Sequence, residues 1–546
     1  MKRTKSKYQF NKLFTLSILL FAFITVSSSL VAQQLNYTLN RDFLWGFDKY
    51  YNNKEENFQS FIKPYSFQDV KAITDSTAAF PRLLAGTKAE ERDKKAKGQI
   101  ELYPIIEAEA GYDMSSPSRF TNNYAIGGNF LAFYKDKFAV NVKMLAGKQV
   151  FNSYQDSVVR ETGVVPGIGY AYRSNTDTFL TRYAYQYYSG YLSYSPNKIF
   201  NIQIGRDKHF WGDGYRSLFL SDVSAPYPYM KITTRIWHLT YVNLYTIMKD
   251  ATPSPYKKDW LTKYATFHYL GWNATKRLNI GLFESIVWQG SDSTRHRGYD
   301  VNYLNPVMFY RPTEYSLGSS DNAFVGMSVK VKLFKNLQLY GQALLDEFVL
   351  KEVRRDFGHA EGKNDTTWGW WANKQAYQGG FKWFDFATVK HLNFQTEINF
   401  VRPYTYSHGS VQQNYSNMNE PLAHPLGANF AESATFLNYR YKRLFIEAKF
   451  TYAFYGADSG GTDYGKNIFI SYTKRPNDYF NYTGQGFQTH LTTISLRGAY
   501  MLDTRMNAKI ELGFADRMIR TAYESKQVPY IFFGIKMDLS NMYSDY

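Results

Sequence analysis

The chain has 546 residues, a formal net charge of +17, 18% aromatic residues and no cysteine. Disulfides, thiolate metal sites and attachment of lipid to a cysteine are therefore excluded. The mean hydropathy of −0.44, beside 48 Tyr, 42 Phe and 10 Trp, argues against both a helical membrane protein and an ordinary soluble domain.

Lys2, Arg3, Lys5, Lys7 and Lys12 precede an apolar run from Leu13 to Val26 and small residues up to Ala32, the three-part build of a secretory signal. Cleavage is expected after Ala32, or alternatively after Ser29. The apolar run falls short of the roughly 20 residues that span a bilayer as a helix. Residues 33–100 lack sustained alternation, so they are assigned to a periplasmic or plugging segment. Within them Ser66 is placed to cap a short helix over Gln68–Ile73, and Lys88–Lys97 is a charged run.

From Glu101 onward the pattern alternates. Segments at 101–110, 122–134, 137–147, 182–194, 198–206, 229–236, 239–248, 262–273, 277–288, 322–334, 337–348, 376–387, 390–402, 433–441, 443–456, 486–501, 505–518 and 527–539 read as strands. Val325, Met327, Val329, Val331 and Leu333 oppose Gly326, Ser328, Lys330 and Lys332, and Ile510, Leu512 and Phe514 oppose Lys509 and Glu511. A half-buried sheet in water shows the same period, so alternation alone leaves a soluble sandwich or propeller open. Connection lengths decide otherwise. Short links such as 135–136, 196–197, 335–336 and Lys442 alternate with long ones at 148–181, 207–228, 289–321, 349–375, 403–432 and 457–485. That asymmetry predicts an all-β fold, a transmembrane antiparallel barrel of about 18 strands with short helices in its N-terminal segment: 1–32 signal, 33–100 periplasmic or plug segment, with 75–100 alternatively a loosely ordered export leader, and 101–546 barrel. The link at Trp237–His238 has no turn chemistry. Phe533–Leu539 ends a strand in the manner of a barrel-insertion signal, with Ser540–Tyr546 beyond it.

One stretch stands apart. After the alternating Phe200, Ile202 and Ile204, the run GRDKHFWGDGYR (Gly205–Arg216) crowds charge and aromatic rings into a single loop. It resembles the GRD…WG…G signature of the Wzi-like capsule-assembly outer-membrane barrels. The following YRSLFLSDVSAPYPYMKITT, with RPYTYSH…EPLAHPLGANF at Arg402–Phe430, is similar to their RemB-like gliding-motility branch. The resemblance implies an eighteen-stranded barrel that binds or organises surface polysaccharide without catalysis.

Several side chains are candidates for that role. Lys208, Trp211, Tyr215 and Arg216 are expected at the outer mouth, where aromatic faces stack on sugar rings and cations hold acidic groups. Membrane-interface packing is the competing role for the two rings. Arg206 and Asp207 are read as a structural pair pinning the loop. A second aromatic group, Trp368, Trp370 and Trp371, lies beside Arg354, Arg355 and Lys374. Loop 289–321 adds Arg295, Arg297 and Arg311. His408, Asn414, His424 and Asn429 sit in a segment assigned to folding inward.

Asp207, His209 and Asp213 lack a nucleophile elbow or metal spacing, and Gly163–Gly169 lacks a nucleotide cradle, so no catalytic residue, metal or cofactor is expected. The expected partners are surface polysaccharide, outer-membrane lipid and lipopolysaccharide, the barrel-assembly machinery during insertion and gliding-motility components, with no nucleic acid. A general porin is the alternative function.

Overall fold

The computed structural model describes residues 35–53, 58–66, 69–70, 98–135, 137–173, 181–250, 260–291, 296–307, 321–347, 349–360, 362, 367–503, 506–537 and 541–546. The expected signal segment and the Lys88–Lys97 run lie outside them, as does most of the Gln68–Ile73 helix.

Eighteen strands close into one antiparallel barrel. They are β1 (Gly98–Asp113), β2 (Arg119–Tyr134), β3 (Phe138–Val150), β4 (Tyr183–Tyr194), β5 (Phe200–Asp207), β6 (Tyr227–Ile236), β7 (Leu239–Asp250), β8 (Leu261–Asn273), β9 (Leu278–Gln289), β10 (Asn322–Phe334), β11 (Leu337–Leu345), β12 (Gln375–Phe384), β13 (Leu392–Val401), β14 (Phe430–Tyr441), β15 (Leu444–Ala457), β16 (Phe487–Asp503), β17 (Ala508–Thr521) and β18 (Ser525–Lys536). Each pairs with its neighbours in sequence, and β1 closes on β18 with Ala108 opposite Ile535. Every segment expected from alternation is a barrel strand. The ends differ where loop backbone takes over the pairing: β11 stops at Leu345 because the Asp346 amide donates to the Lys374 carbonyl instead.

The faces are inverted relative to a soluble sheet. On β10, Met327 is 48% exposed while Ser328 and Lys330 are buried; on β17, Leu512 is 55% exposed while Lys509 and Glu511 are buried. A sandwich in water would bury the methionine and leucine and expose the charges, so this barrel is built for an apolar surrounding. Exposed Tyr134, Phe138, Trp272, Phe334, Tyr441 and Tyr500 stand beside the short turns, an aromatic belt at that end. The link without turn chemistry is a genuine two-residue turn. Ile236 pairs with Leu239, and Trp237 takes the positive φ of 55° usually left to Asn or Gly.

Among the described residues, four pieces of chain occupy the lumen. The described parts of the N-terminal segment, 35–53, 58–66 and 69–70, include α1 (Arg41–Asn53), which the sequence reading did not place. Asn40 starts it by accepting from the Asp42 amide at 2.9 Å. Phe43, Phe47 and Tyr51, four residues apart, lie on its buried side. At its far end Asn52 donates to the carbonyls of Phe334 and Lys335, so α1 sits at the short-turn end. Farther in, Ile62–Lys63 pairs with Phe210–Trp211 as a short ribbon. The 208–226 and 402–429 loops fold inward between strands, and residues 541–546 return into the barrel after β18. Two further helices, α2 (Ser153–Thr162) and α3 (Leu350–Ala360), belong to long loops.

Candidate functional site

The structure separates the two groups of candidates. Lys208, Trp211, Tyr215 and Arg216 do not face the outer mouth; all four are at least 95% buried within the lumen. The physical reason is the apolar run directly after them in the chain. Leu218, Phe219 and Leu220 are wholly buried and carry the loop inward, with Phe219 stacked on Phe283 at 4.6 Å. Trp211 packs among Phe267, Tyr269 and Phe283. Lys208 donates to the Asp222 carbonyl at 3.1 Å.

Arg216 is the centre of a buried polar network. Its guanidinium meets Glu432 at 2.9 Å and Asp545 at 3.2 Å, while the Tyr215 hydroxyl donates to Asp545 at 2.8 Å. Lys449 adds a second cation to Asp545 at 3.2 Å. Burial opposes ionisation of the Asp545 carboxyl, but Arg216 and then Lys449 outweigh it and hold the group well below the usual carboxylate range. Glu397 receives the backbone amides of Tyr215 and Arg216 at 2.7 and 3.0 Å. Loop, wall and returning C-terminal segment are thus tied at one point.

Arg206 and Asp207 form no ion pair with each other. Consecutive strand residues point to opposite faces: Arg206 lies over the Tyr188 ring at 4.5 Å, and Asp207 accepts from the Lys208 amide at 2.9 Å. The loop is pinned instead by Arg216. His424 and Asn429 are fully buried in the 402–429 loop, where Asn429 donates to the carbonyls of Gly456 and Gln485 at 2.9 Å.

Trp368, Trp370 and Trp371 are partly buried at the long-loop end. They belong to a platform made by two loops. The Phe480 amide donates to the Trp368 carbonyl at 2.7 Å, the Asn481 amide to Gly369 at 2.9 Å and the Trp371 amide to Asp478 at 2.8 Å. Gly369 is required at this seam: its φ is 68°, and a Cβ there would lie 2.6 Å from the Asn481 nitrogen. Asp356 of α3 steadies it by accepting from the Gly369 amide at 2.7 Å and from Asn373 at 2.9 Å.

On this frame Trp371 packs against Tyr472 at 4.6 Å, with the Arg475 guanidinium 3.9 Å above the indole. Arg475 is oriented by Asp478 at 2.7 Å. His359 stacks on Trp368 at 4.4 Å, and Phe480 meets Trp368 edge-on at 5.8 Å. Phe480 and Tyr482 are each about half exposed, 51% and 49%. Lys374 lies beneath, fully buried between Asp346 at 3.3 Å and Glu347 at 3.2 Å. Burial pushes the Asp346 carboxyl up to about 7 despite the pull of Lys374. Arg354 is exposed on α3, and Arg355 pairs with Glu352 at 3.0 Å. Arg297 is taken up by Asp300 and Asp321, while Arg295 and Arg311 lie outside the described residues. The sequence reading missed Tyr472, Arg475, Phe480 and Tyr482, although the YTKRPNDYFNY run carries the same aromatic and cationic signal as the tryptophan loop.

No protein-family model matches the sequence, and no curated protein matches it. Solved structures do. Wzi, an outer membrane protein of Escherichia coli involved in group 1 capsule assembly and described as a carbohydrate-binding β-barrel, is 12% identical. It aligns with a TM-score of 0.55 over 93% of this chain and 100% of its own. At 9% identity, OccAB2 of Acinetobacter baumannii aligns over 80% of this chain and 97% of its own with a TM-score of 0.42. The likeness to Wzi establishes a shared barrel fold. Among the described residues no group of three His, Asp or Glu could hold a metal ion.

Proposed function

We propose that this chain is a non-enzymatic outer-membrane barrel that holds cell-surface polysaccharide, as in capsule or slime assembly, on the platform of Trp368, Trp370, Trp371, Tyr472, Phe480 and Tyr482. In this reading the signal segment directs export, the short turns face the periplasm and the long loops face outward, with lipopolysaccharide around the belt. The observation that carries it is a set of rings held by two stitched loops, of which Phe480 and Tyr482 are about half exposed and the tryptophans and Tyr472 partly so. Flat aromatic faces stack on the C–H faces of sugars, and Arg475 adds a cation for an acidic group. Wzi binds carbohydrate on a similar fold; the ligand class here rests on the platform. Lys208, Trp211, Tyr215 and Arg216 serve to seat the plug. The resemblance to the gliding-motility branch adds a second setting, in which the bound polymer is slime and motility components are partners.

Two measurements test this. The chain has no native cysteine, so Asn477→Cys should be labelled by an impermeant maleimide on intact cells and Asn197→Cys should not; the reverse pattern sinks the topology. Purified barrel should bind acidic surface polysaccharide, with affinity reduced several-fold when Trp370 and Trp371 are both changed to Ala.

A porin is the second reading, and one observation favours it. A cavity of about 310 Å³ lies between the plug and the wall, and its mixed lining includes the charged Glu107, Glu109, Lys143, Lys449, Arg497 and Glu511. Large, stable, ohmic conductance in planar bilayers would establish that reading. The four pieces of chain in the lumen argue for little steady current.

A further inference from the structure

We propose that a second cavity, at the short-turn end of the lumen, binds the anionic group of an acidic saccharide, so that the barrel engages its polymer from both sides of the membrane. The saccharide class rests on the proposed function above; the preference for an anion rests on the cavity alone. Its volume is about 550 Å³, lying between the N-terminal segment and the ends of β5–β8, within the roughly 300–1,000 Å³ of small-ligand sites.

Its charge is one-sided. Lys137, Lys198, Lys231 and Arg235 line it against a single described carboxylate, Asp69. That carboxylate is already engaged, by Arg235 at 2.9 Å and by the Ser66 hydroxyl at 2.6 Å.

Lys231 is decisive. It stands on the inward face of β6, 95% buried, yet among the described residues its ammonium makes no hydrogen bond or ion pair: the Asp207 carboxylate on β5 attracts it only from beyond ion-pair distance, and the Tyr229 ring lies 5.9 Å away. Other deeply buried lysines of the plug region find acceptors: Lys263 reaches Asn414 at 2.7 Å, Lys374 reaches Asp346 and Lys382 reaches Asp48. Gln59, which also lines the cavity, leaves both amide atoms buried without a partner. Unpaired buried charge and unmet amide groups destabilise a fold. A counter-charge and a set of hydroxyls supplied by a ligand would answer both, since a carboxylate accepts from Lys231 while sugar hydroxyls donate to and accept from Gln59.

The test uses the full chain in detergent with trigalacturonate as probe, neutral maltotriose as control and inorganic phosphate as competitor. Lys231→Met should weaken trigalacturonate binding by roughly tenfold or more. Its thermal midpoint should be unchanged or raised, because a buried ammonium with no hydrogen-bond acceptor among the described residues has been removed. Trp371→Ala should leave this component of binding intact. Unaltered binding by Lys231→Met overturns the inference, as does a lowered midpoint, which would mark a structural lysine. Maltotriose binding equally well, or phosphate displacing the trisaccharide at equal concentration, overturns the acidic-saccharide assignment. If Trp371→Ala alone abolishes binding, this inference fails while the outer platform stands; if only Lys231→Met acts, the platform fails and the inner cavity stands.

Discussion

Trp211 and Trp371 come from loops of the same kind, each rich in aromatic residues and flanked by arginine, yet they have opposite fates. Trp211 is completely buried, and its neighbour Arg216 is ion-paired with Glu432 and Asp545. Trp371 keeps part of its surface exposed, and its arginine, Arg475, stands over the ring at the long-loop end. The difference lies in how each loop is anchored. Leu218–Leu220 drags the first loop into the lumen, whereas the second loop is held by backbone bonds to another surface loop. Aromatic and cationic composition marks both regions; only the buried one is consumed in holding the barrel together.

The sharpest way to break this comparison is at the lumen. Asp545→Asn leaves the deeply buried Arg216 and the partly buried Lys449 short of a counter-charge, and should cost about 3–5 kcal/mol of stability. It is read as a lower denaturant midpoint and a lower yield of the heat-modifiable folded band. A variant as stable as the parent would show that the returning C-terminal segment is not part of the plug.

A smaller effect is expected from Glu420, buried where it accepts the amides of Gly167 at 2.6 Å and Ala225 at 2.9 Å. Burial raises its carboxyl from 4.5 to about 7, even with those bonds and Lys208 opposing. Because the folded pKa lies above the unfolded one, the folded state binds more protons between these values. Stability is therefore fully present below about 4.5 and falls as pH rises to about 7, by about 3 kcal/mol at most. Unfolding midpoints measured across that range should slope downward in the parent and flatten in Glu420→Gln.

The platform should give the smallest change in free energy and the clearest change in function. Trp371→Ala removes one stacking face and the ring under Arg475, a loss of about 1–2 kcal/mol in polysaccharide affinity, with folded yield unchanged. Trp211→Ala should do the reverse, lowering stability through the cavity it leaves while polysaccharide affinity is retained in the fraction that folds. Affinity lost in Trp211→Ala with stability intact would erase the distinction between the two regions.

The barrel itself was legible in the amino-acid sequence. Strand period is a local property, and all eighteen strands, including the one entered from Trp237–His238, come from alternation and the inequality of short and long links. The direction of the loops was not legible. Whether a loop of Arg, Trp and Tyr covers a mouth or fills a lumen depends on contacts with residues far away in the chain, such as Arg216 with Glu432 and Asp545, or Lys382 with Asp48. Helix α1 escaped for a related reason: its Gly46 and its aromatic residues are poor helix formers, and packing against the wall, as of Phe43 on Phe445, supplies what propensity does not. The sequence alone determined a closed, aromatic-belted barrel with cationic and aromatic loops; tertiary structure decided which of those side chains are spent on each other and which stay open to a ligand, because burial and charge pairing are set by the whole enclosed volume and not by neighbours in the chain.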